Sequence, residues 1–321
     1  PGDGAADEIA AALEHLRPVG QVLLIWIDPM LKAREPGQIG AQTFVMPEDL
    51  AGAARWAAEH NLRRRNVYWT VNSGRRALGK KATKADIAEA GMVWADVDPK
   101  VKELGTYEAA RAELLDELLP VLRRSATIII DSGNGLQAFW RLSEPIALPD
   151  GLDAFEALNK RVGAAFDGPD THNADRVMRL PGTVNYPSPA KLNKGYPSTP
   201  SRARLLLADG PDYTQAQLEA LIAERVLPQQ LAAYLRRHPQ ARARWRGGVD
   251  GLADTSGSAM LMSMVAMLRH GGFDREEVKA LMTTWPHGSL HRCDNPERDF
   301  ERVWGRNHAS TKQPEARVAD T

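Results

Sequence analysis

The sequence predicts an α/β (α+β) domain followed by a small helical domain. Three observations support this prediction. Helical and strand patterns alternate up to about residue 180, and a segment rich in proline, glycine and serine then covers residues 181–201. From Tyr213 onward the pattern is almost wholly helical. We therefore expect an α/β domain over residues 1–210, helices over residues 211–310 and a polar, disordered tail over residues 311–321.

The elements of the first domain follow from the spacing of its apolar residues. Continuous or alternating apolar runs predict strands, and apolar residues three or four apart predict helices. Two β-rich runs flank the turn Ser132–Gly135 and predict a hairpin. The predicted order is helix 7–16, strand 21–28, helix 46–61, strand 66–72, strand 93–98, helix 107–124, hairpin 126–142, helix 155–168 and strand 175–180.

The helical domain shows four helical patterns. The first two, residues 213–226 and 228–238, are separated before Pro228, and the others cover residues 258–272 and 274–285.

Composition limits the class of protein. The chain has 321 residues, of which 43% are hydrophobic and 26% charged, as in an ordinary globular protein with room for two domains. A single cysteine, Cys293, excludes an intrachain disulfide and a zinc cluster built on cysteines. No apolar run approaches the roughly 20 residues that span a bilayer, and no secretory signal pattern begins the chain. We expect a cytoplasmic protein.

Local charge is more informative than net charge, because the 41 basic and 41 acidic residues cancel. Three basic clusters stand out: residues 63–65, residues 75–84, and residues 236–246, which hold five arginines and no acid. Each cluster could be solvated surface. Together they favour a phosphate-bearing partner.

Two aspartates end the strand predicted at residues 93–98. Residues two apart in a strand project from the same face, so Asp96 and Asp98 would form a paired oxygen site. Mg²⁺ and Mn²⁺ prefer carboxylate ligands, and a divalent cation would relieve the repulsion between the two charges. The alternative is that both aspartates solvate a turn before Pro99.

Two further segments carry candidate binding residues. The turn Ser132–Gly135 would expose backbone N–H groups to phosphate oxygens, with Ser132, Asn134 and Gln137 adding side-chain hydrogen bonds. A plain hairpin turn is the alternative. The segment 170–194 offers carboxylates and phosphate-binding cations, or else structural salt bridges. Its candidates are Asp170, His172, Asp175, Arg176, Arg179, Lys191 and Lys194.

In order and spacing, these segments resemble the three motifs of the archaeo-eukaryotic primase superfamily, in particular primase-polymerases of phage and plasmid replication. The segments that carry the resemblance are "ADVDP", "SGNGLQAFW" and "HNADRVMRLPGTVNYP". The resemblance covers residues 66–194. It implies a catalytic core with an RNA-recognition-motif-like sheet. It also implies template-directed nucleotidyl transfer on single-stranded DNA by a cytoplasmic enzyme of a bacterial host, with a fused or recruited helicase as a further partner.

The resemblance also implies roles for the candidate residues. Asp96 and Asp98 would bind two divalent ions, Mg²⁺ or Mn²⁺, with a third acid from the last motif. Ser132, Asn134, Gln137, His172, Arg176, Arg179 and Lys191 would contact the nucleoside triphosphate. The family's second motif ends in histidine where this chain has Gln137, which brings no positive charge.

The position of the third acid is open. Asp170 is preferred, because the family's third acid lies several residues before the paired arginines. Asp175 is the alternative, although neighbouring arginines suit it to a salt bridge, and Asp167 remains a further one.

For the template, Tyr68, Trp69 and Trp140 could stack on bases, but aromatic residues within strands are more often core. A replication initiator that only binds DNA and a metal-dependent nuclease are the competing functions.

Overall fold

The computed structural model describes residues 3–168 and 171–309. The chain divides into two compact units, residues 1–229 and 230–321. The first unit combines helices with antiparallel sheets, which confirms the predicted α/β (α+β) class. No helix in the described ranges is long and apolar enough to cross a membrane.

The first unit contains two main sheets. The strands are β1 (Gly20–Ile27), β2 (Ile39–Met46), β3 (Asn66–Thr70), β4 (Ser73–Gly74), β5 (Ile87–Val97), β6 (Ile128–Asp131), β7 (Leu136–Ala147), β8 (Val177–Arg179), β9 (Val184–Asn185), β10 (Ser201–Arg202), β11 (Arg204–Leu207) and β12 (Asp212–Tyr213). One sheet has the order β2-β1-β3-β8, and the other has the order β11-β6-β7-β5-β4. In addition, β12 pairs with β7 in parallel, and β9 pairs with β10.

Helices cover these sheets. They are α1 (Asp3–Leu16), α2 (Leu50–Leu62), α3 (Val101–Leu104), α4 (Tyr107–Glu113), α5 (Leu119–Leu122), α6 (Leu148–Ala165), α7 (Pro189–Leu192) and the start of α8 (Gln215–Arg237). A π-helical segment, Leu114–Leu118, joins α4 to α5 within the region predicted as one helix. Short 3₁₀ turns occupy Lys84–Asp86 and Leu290–Arg292.

The core of the first unit lies among the two sheets and their helices. Trp69, Trp94, Trp140 and Phe139 are fully buried there, because the central strands are covered on both sides. Trp69 and Trp140 are therefore core residues and not the base-stacking residues considered for the template.

The first unit extends past residue 210, where the sequence suggested a domain boundary. β12 pairs with β7, and Leu218 and Ile222 of α8 belong to the core of this unit. The helix α8 also continues through Pro228, where two separate helices were expected. The second unit contains the rest of α8, α9 (Pro239–Trp245), α10 (Gly257–His270), α11 (Arg275–Thr284) and α12 (Pro296–Ala309). The tail predicted over residues 311–321 lies outside the described residues.

Candidate functional site

A cleft with a volume of about 810 Å³ opens in the first unit beside the end of β5. It brings together eight of the ten residues to which the motif resemblance gives roles, Asp96, Asp98, Ser132, Asn134, Gln137, Arg176, Arg179 and Lys191, and the further candidate Lys194. His172 is half-buried and does not line this cleft. Asp170 lies outside the described residues.

Asp96 is fixed by its place in β5. It lies directly opposite Gln137 of β7 in the antiparallel register, so the two side chains meet across the strands. The Gln137 Nε2 atom donates a hydrogen bond to Asp96 Oδ1 at 3.1 Å, and the Arg176 Nη2 atom donates to Asp96 Oδ2 at 3.2 Å. Both carboxylate oxygens are therefore oriented before any ligand binds.

The electrostatics of Asp96 favour a cation in the cleft. Burial raises the pKa of its carboxyl group, Arg176 opposes this effect, and the nearby charge of Asp98 raises the pKa further. Neighbouring positive charge therefore does not fully compensate the partly buried carboxylate. A divalent cation would supply the missing compensation.

Asp98 follows the last residue of β5 and is more exposed, with a side-chain relative accessibility of 61%. The Lys191 Nζ atom donates to both of its carboxylate oxygens, at 2.9 and 2.8 Å. The same ammonium lies 4.3 Å from the centre of the Tyr196 ring. Burial and the charge of Asp98 raise the pKa of the Tyr196 hydroxyl, so this tyrosine stays neutral. Lys191 thus holds the residues around α7 against the end of β5.

The predicted hairpin is confirmed, and its glycines bring the turn close to the aspartates. β6 and β7 are joined by Ser132–Gly135, and the Ser132 Oγ atom accepts a hydrogen bond from the Gly135 N–H at 3.0 Å. Gly133 has φ +88°, in the left-handed region. A Cβ at Gly135 would clash with the carbonyl oxygen of Val97. Glycine is thus needed for the turn to lie this close to the end of β5.

Gln137 is engaged more fully than the motif resemblance implies. Only 6% of its surface is exposed, and its Oε1 atom accepts a hydrogen bond from the Arg179 backbone N–H at 3.0 Å. Its amide Nε2 atom donates a hydrogen bond to Asp96 Oδ1. The side chain therefore joins β5 to β8, and both of its polar atoms already have protein partners.

Arg179 forms the inner cationic wall of the cleft. Its Nη2 atom donates to the Tyr68 hydroxyl at 3.0 Å and to Asn185 Oδ1 at 2.9 Å, and its guanidinium stacks on the Tyr68 ring at 4.2 Å. Burial lowers the pKa of Arg179, although the guanidinium remains charged at neutral pH. Within residues 3–168 and 171–309, the buried atoms Arg179 Nη1 and Arg176 Nε have no hydrogen-bond partner. Two donors on residues that line the cleft are thus unsatisfied by the described part of the chain.

The described alternatives for the third acid are held by lysines. The Asp175 Oδ2 atom accepts from Lys81 Nζ at 3.2 Å, and its Oδ1 atom accepts from Asn173 Nδ2 at 2.7 Å. Asp175 precedes β8 and does not line the cleft. Asp167 forms a 4.0 Å ion pair with Lys100.

The chain reaches Asp96 shortly before the undescribed residue Asp170. Gly168 packs so closely that a Cβ there would lie 2.8 Å from the backbone nitrogen and oxygen of Asp96. The main chain two residues before Asp170 therefore lies against Asp96. The assignment of the third acid to Asp170 stays a prediction.

The cleft suits a divalent cation by the chemistry of its donors. Within residues 3–168 and 171–309 no three His, Cys, Asp or Glu side chains form a metal-binding group. Three described carboxylates line the cleft, those of Asp28, Asp96 and Asp98, and the last two form the predicted pair. The four oxygens of this pair are the ligand type that Mg²⁺ and Mn²⁺ prefer, and water or substrate oxygens can complete such a site.

Part of the cleft could not be assigned from the sequence motifs. The loop between β1 and β2 lines it with Asp28–Ala33 and Gln38. The signal available in the sequence was the Asp-Pro pair at residues 28 and 29, directly after a buried strand. Strand ends of this kind commonly carry functional loops.

Two solved structures are similar to this chain at low identity. The AEP domain of the primase-polymerase (PrimPol) of Cyanophage S-2L has 20% identity and a TM-score of 0.43, over 67% of this chain and 97% of that one. The primase RepB′ has 16% identity and a TM-score of 0.42, over 97% of this chain and 95% of that one. No family model matches the sequence, and no curated protein does. We therefore base the functional proposal on the cleft and the motifs.

Proposed function

We propose that the chain is a primase-polymerase, which joins nucleotides on a single-stranded DNA template. The observation that carries the proposal is one cleft in which Asp96 and Asp98 face Arg176, Arg179 and Lys191. Paired carboxylates suit divalent cations, and clustered cations suit a triphosphate. A replication initiator that only binds DNA has no use for the carboxylates, and a nuclease has no use for a triphosphate pocket.

In this proposal Asp96 and Asp98 hold Mg²⁺ or Mn²⁺, with Asp170 as the third ligand that the motif resemblance implies. Two divalent ions, when bound, stabilise the charge that develops on the reacting phosphate and the leaving pyrophosphate. The hydrogen bonds from Gln137 and Arg176 keep the Asp96 carboxylate oriented toward the cleft. Lys191 forms an ion pair with Asp98. In this proposal its ammonium group leaves Asp98 and pairs with a phosphate oxygen of the nucleotide.

The remaining cleft residues would bind and position the nucleotide. Among the described residues, Arg176 Nε and Arg179 Nη1 have no hydrogen-bond partner, and guanidinium donors suit phosphate oxygens. Ser132 and Asn134 in the hairpin turn line the cleft beside them. The Tyr68 ring stacks against the Arg179 guanidinium, and this contact would keep the guanidinium oriented when a ligand binds.

Product analysis tests the proposal. The protein is incubated with a single-stranded template, Mg²⁺ or Mn²⁺ and labelled nucleotides, and the labelled strands are sized on a denaturing gel. We expect new or lengthened strands. Shortened template strands would identify a nuclease, and a mobility shift of unreacted template without products would identify a DNA-binding initiator.

A further inference from the structure

One basic cluster, Arg63–Arg65, directly precedes a residue of the cleft wall, and contacts within the described residues account for Arg65 but not for the other two side chains. The turn Arg63–Arg65 connects the end of α2 to the start of β3. Its next residue, Asn66, lines the cleft and exchanges two hydrogen bonds with the backbone of Tyr186, at 2.9 and 2.8 Å. The arginine turn therefore adjoins the cleft wall through Asn66, at the start of β3.

The other two basic clusters are largely accounted for by contacts within the protein. In residues 75–84, ion pairs hold Arg76 with Asp86, Lys81 with Asp175 and Lys84 with Glu156, and Arg75 donates to a backbone carbonyl. Lys80 is the remaining cation of that cluster. In the cluster at residues 236–246, Arg244 is buried and donates to the Asp250 carbonyl, and its neighbours also have partners within the protein.

Arg63 and Arg64 differ from these residues. Both are exposed, and within the described part of the chain neither guanidinium makes a hydrogen bond or an ion pair. Arg64 also has φ +59°, in the left-handed region that glycine or asparagine adopts at lower conformational cost. A cation near a helix C-terminus is favourable, but this effect does not select arginine for a left-handed position.

Arg65 is held rigidly next to them. Its guanidinium stacks 3.8 Å from the centre of the Trp26 ring, and its Nη1 atom lies 3.0 Å from His60 Nδ1. The Trp26 indole in turn covers Gly40 of β2, where a Cβ would lie 2.5 Å from the ring. Burial, together with the charges of Arg65 and Arg63, lowers the pKa of His60. The local field is thus positive.

We propose that Arg63 and Arg64 bind phosphates of the single-stranded template just outside the cleft, with Arg65 as their fixed neighbour. Exposed guanidinium groups bind the phosphates of a single strand without sequence preference. Because Asn66 follows the turn directly and lines the cleft, a strand bound by Arg63 and Arg64 would continue toward the site proposed to read its bases. The inference rests on the proposed function for the identity of the strand.

The chain provides a matched control. Arg123 and Arg124 are also two consecutive exposed arginines after a helix, α5, and they precede β6, whose other end leads to Ser132 at the cleft. The test variant is Arg63→Ala with Arg64→Asn, because asparagine tolerates the left-handed conformation. The control variant is Arg123→Ala with Arg124→Asn. Circular dichroism and melting curves establish that both are folded.

Binding is measured by fluorescence anisotropy with labelled single-stranded DNA, without nucleotide or metal, over a range of salt concentrations. Each lost phosphate contact should lower the slope of log K against log salt by about 0.7. We therefore expect the test variant to bind roughly 10- to 30-fold more weakly at 0.1 M salt, with a slope smaller by about 1.4. The control variant should bind like the wild type.

Equal binding by the test variant and the wild type, or an equal loss in the control variant, would overturn the inference.

A second measurement uses primer-template duplexes whose single-stranded template extensions increase in length. The wild type should gain affinity as the extension passes the cleft, and the test variant should lose that gain. Because no nucleotide is present, a loss of DNA binding in a protein that makes no products would support this inference and refute the proposed function. The reverse combination would refute the inference alone.

Discussion

At the scale of single residues, Gln137 lies in the predicted site and makes contacts within the protein that the motif did not indicate. The motif resemblance implies contact with the triphosphate, which stays a prediction. In the structure its amide group joins Asp96 of β5 to the backbone of Arg179 in β8. Gln137 therefore acts as a positioning residue for Asp96 in the ligand-free chain.

This arrangement predicts the kinetic effect of Gln137→Ala. Removing the amide takes away the hydrogen bond to Asp96 Oδ1 and the acceptor of the Arg179 N–H, while the contact from Arg176 remains. We therefore expect kcat to fall about 10- to 100-fold, as for other residues that orient metal ligands. The nucleotide KM should change less. Steady-state incorporation kinetics separate the two constants. A raised KM with an unchanged kcat would show instead that Gln137 contacts the triphosphate.

Asp175 gives a second prediction at this scale, because its ion pair with Lys81 suits a structural role. Although burial raises it, the hydrogen bond from Asn173 and the charge of Lys81 hold the pKa of Asp175 below its ordinary value. Asp175→Asn should therefore lower the free energy of unfolding at pH 7 by about 1 kcal/mol, since Lys81 is partly exposed. Incorporation of nucleotides should persist.

The sign of the shift sets the pH dependence. A carboxyl group with a lowered folded-state pKa stabilises the fold above its unfolded pKa of about 4, and this contribution is lost as the pH falls through the folded-state value. The stability difference between wild type and Asp175→Asn should thus be constant from pH 7 to pH 5 and shrink below pH 4. Urea unfolding measures it. If the variant keeps its stability but makes no product, Asp175 takes the catalytic role that we assign to Asp170.

At the scale of elements, the sequence predicted those whose signals are local. The hairpin of β6 and β7 follows from two apolar runs around glycines, and the paired aspartates follow from the period of a strand. The cross-strand pairing of Asp96 with Gln137 could not be predicted, because register depends on contacts between segments about 40 residues apart. The same holds for the ion pairs of Asp98 with Lys191 and Asp175 with Lys81.

The helix α8 gives a prediction about the two units. Pro228 lies within it, and the division of the chain falls beside this proline, at residues 229 and 230. A chain ending at Gln229 keeps β12 and the core residues Leu218 and Ile222, whereas one ending near Leu207 removes them. The longer truncated protein should fold and extend a pre-formed primer, because every described cleft residue precedes residue 200.

Circular dichroism and primer extension test this truncation, with the complete chain as the reference. We expect the truncated protein to extend primers and to be weaker in starting new strands. A folded truncated protein that extends no primer would show that the second unit contributes to bond formation.

At the scale of the whole molecule, overall charge and composition indicated little about function. The balance of 41 basic and 41 acidic residues conceals a cleft in which the carboxylates of Asp96 and Asp98 lie with the cations Arg176, Arg179 and Lys191. The two carboxylates are separated from these cations by 78 to 95 residues of the chain. Motif order allowed the assembly to be expected, but its wall from the β1–β2 loop carries no motif and became evident only in the folded chain.

The central claim is that this cleft joins nucleotides under the direction of a template, using Asp96 and Asp98. The most direct measurement is single-nucleotide extension on four primer-templates that differ only in the first unpaired template base, with Mn²⁺ or Mg²⁺. We predict that the added nucleotide follows the template base in each case, and that Asp96→Asn and Asp98→Asn each lower the rate by at least about 100-fold, more than the loss of an outer-shell partner. Both variants should still bind the template, because the basic surface is unchanged. Addition that ignores the template base, or near-normal extension by either variant, would contradict the account.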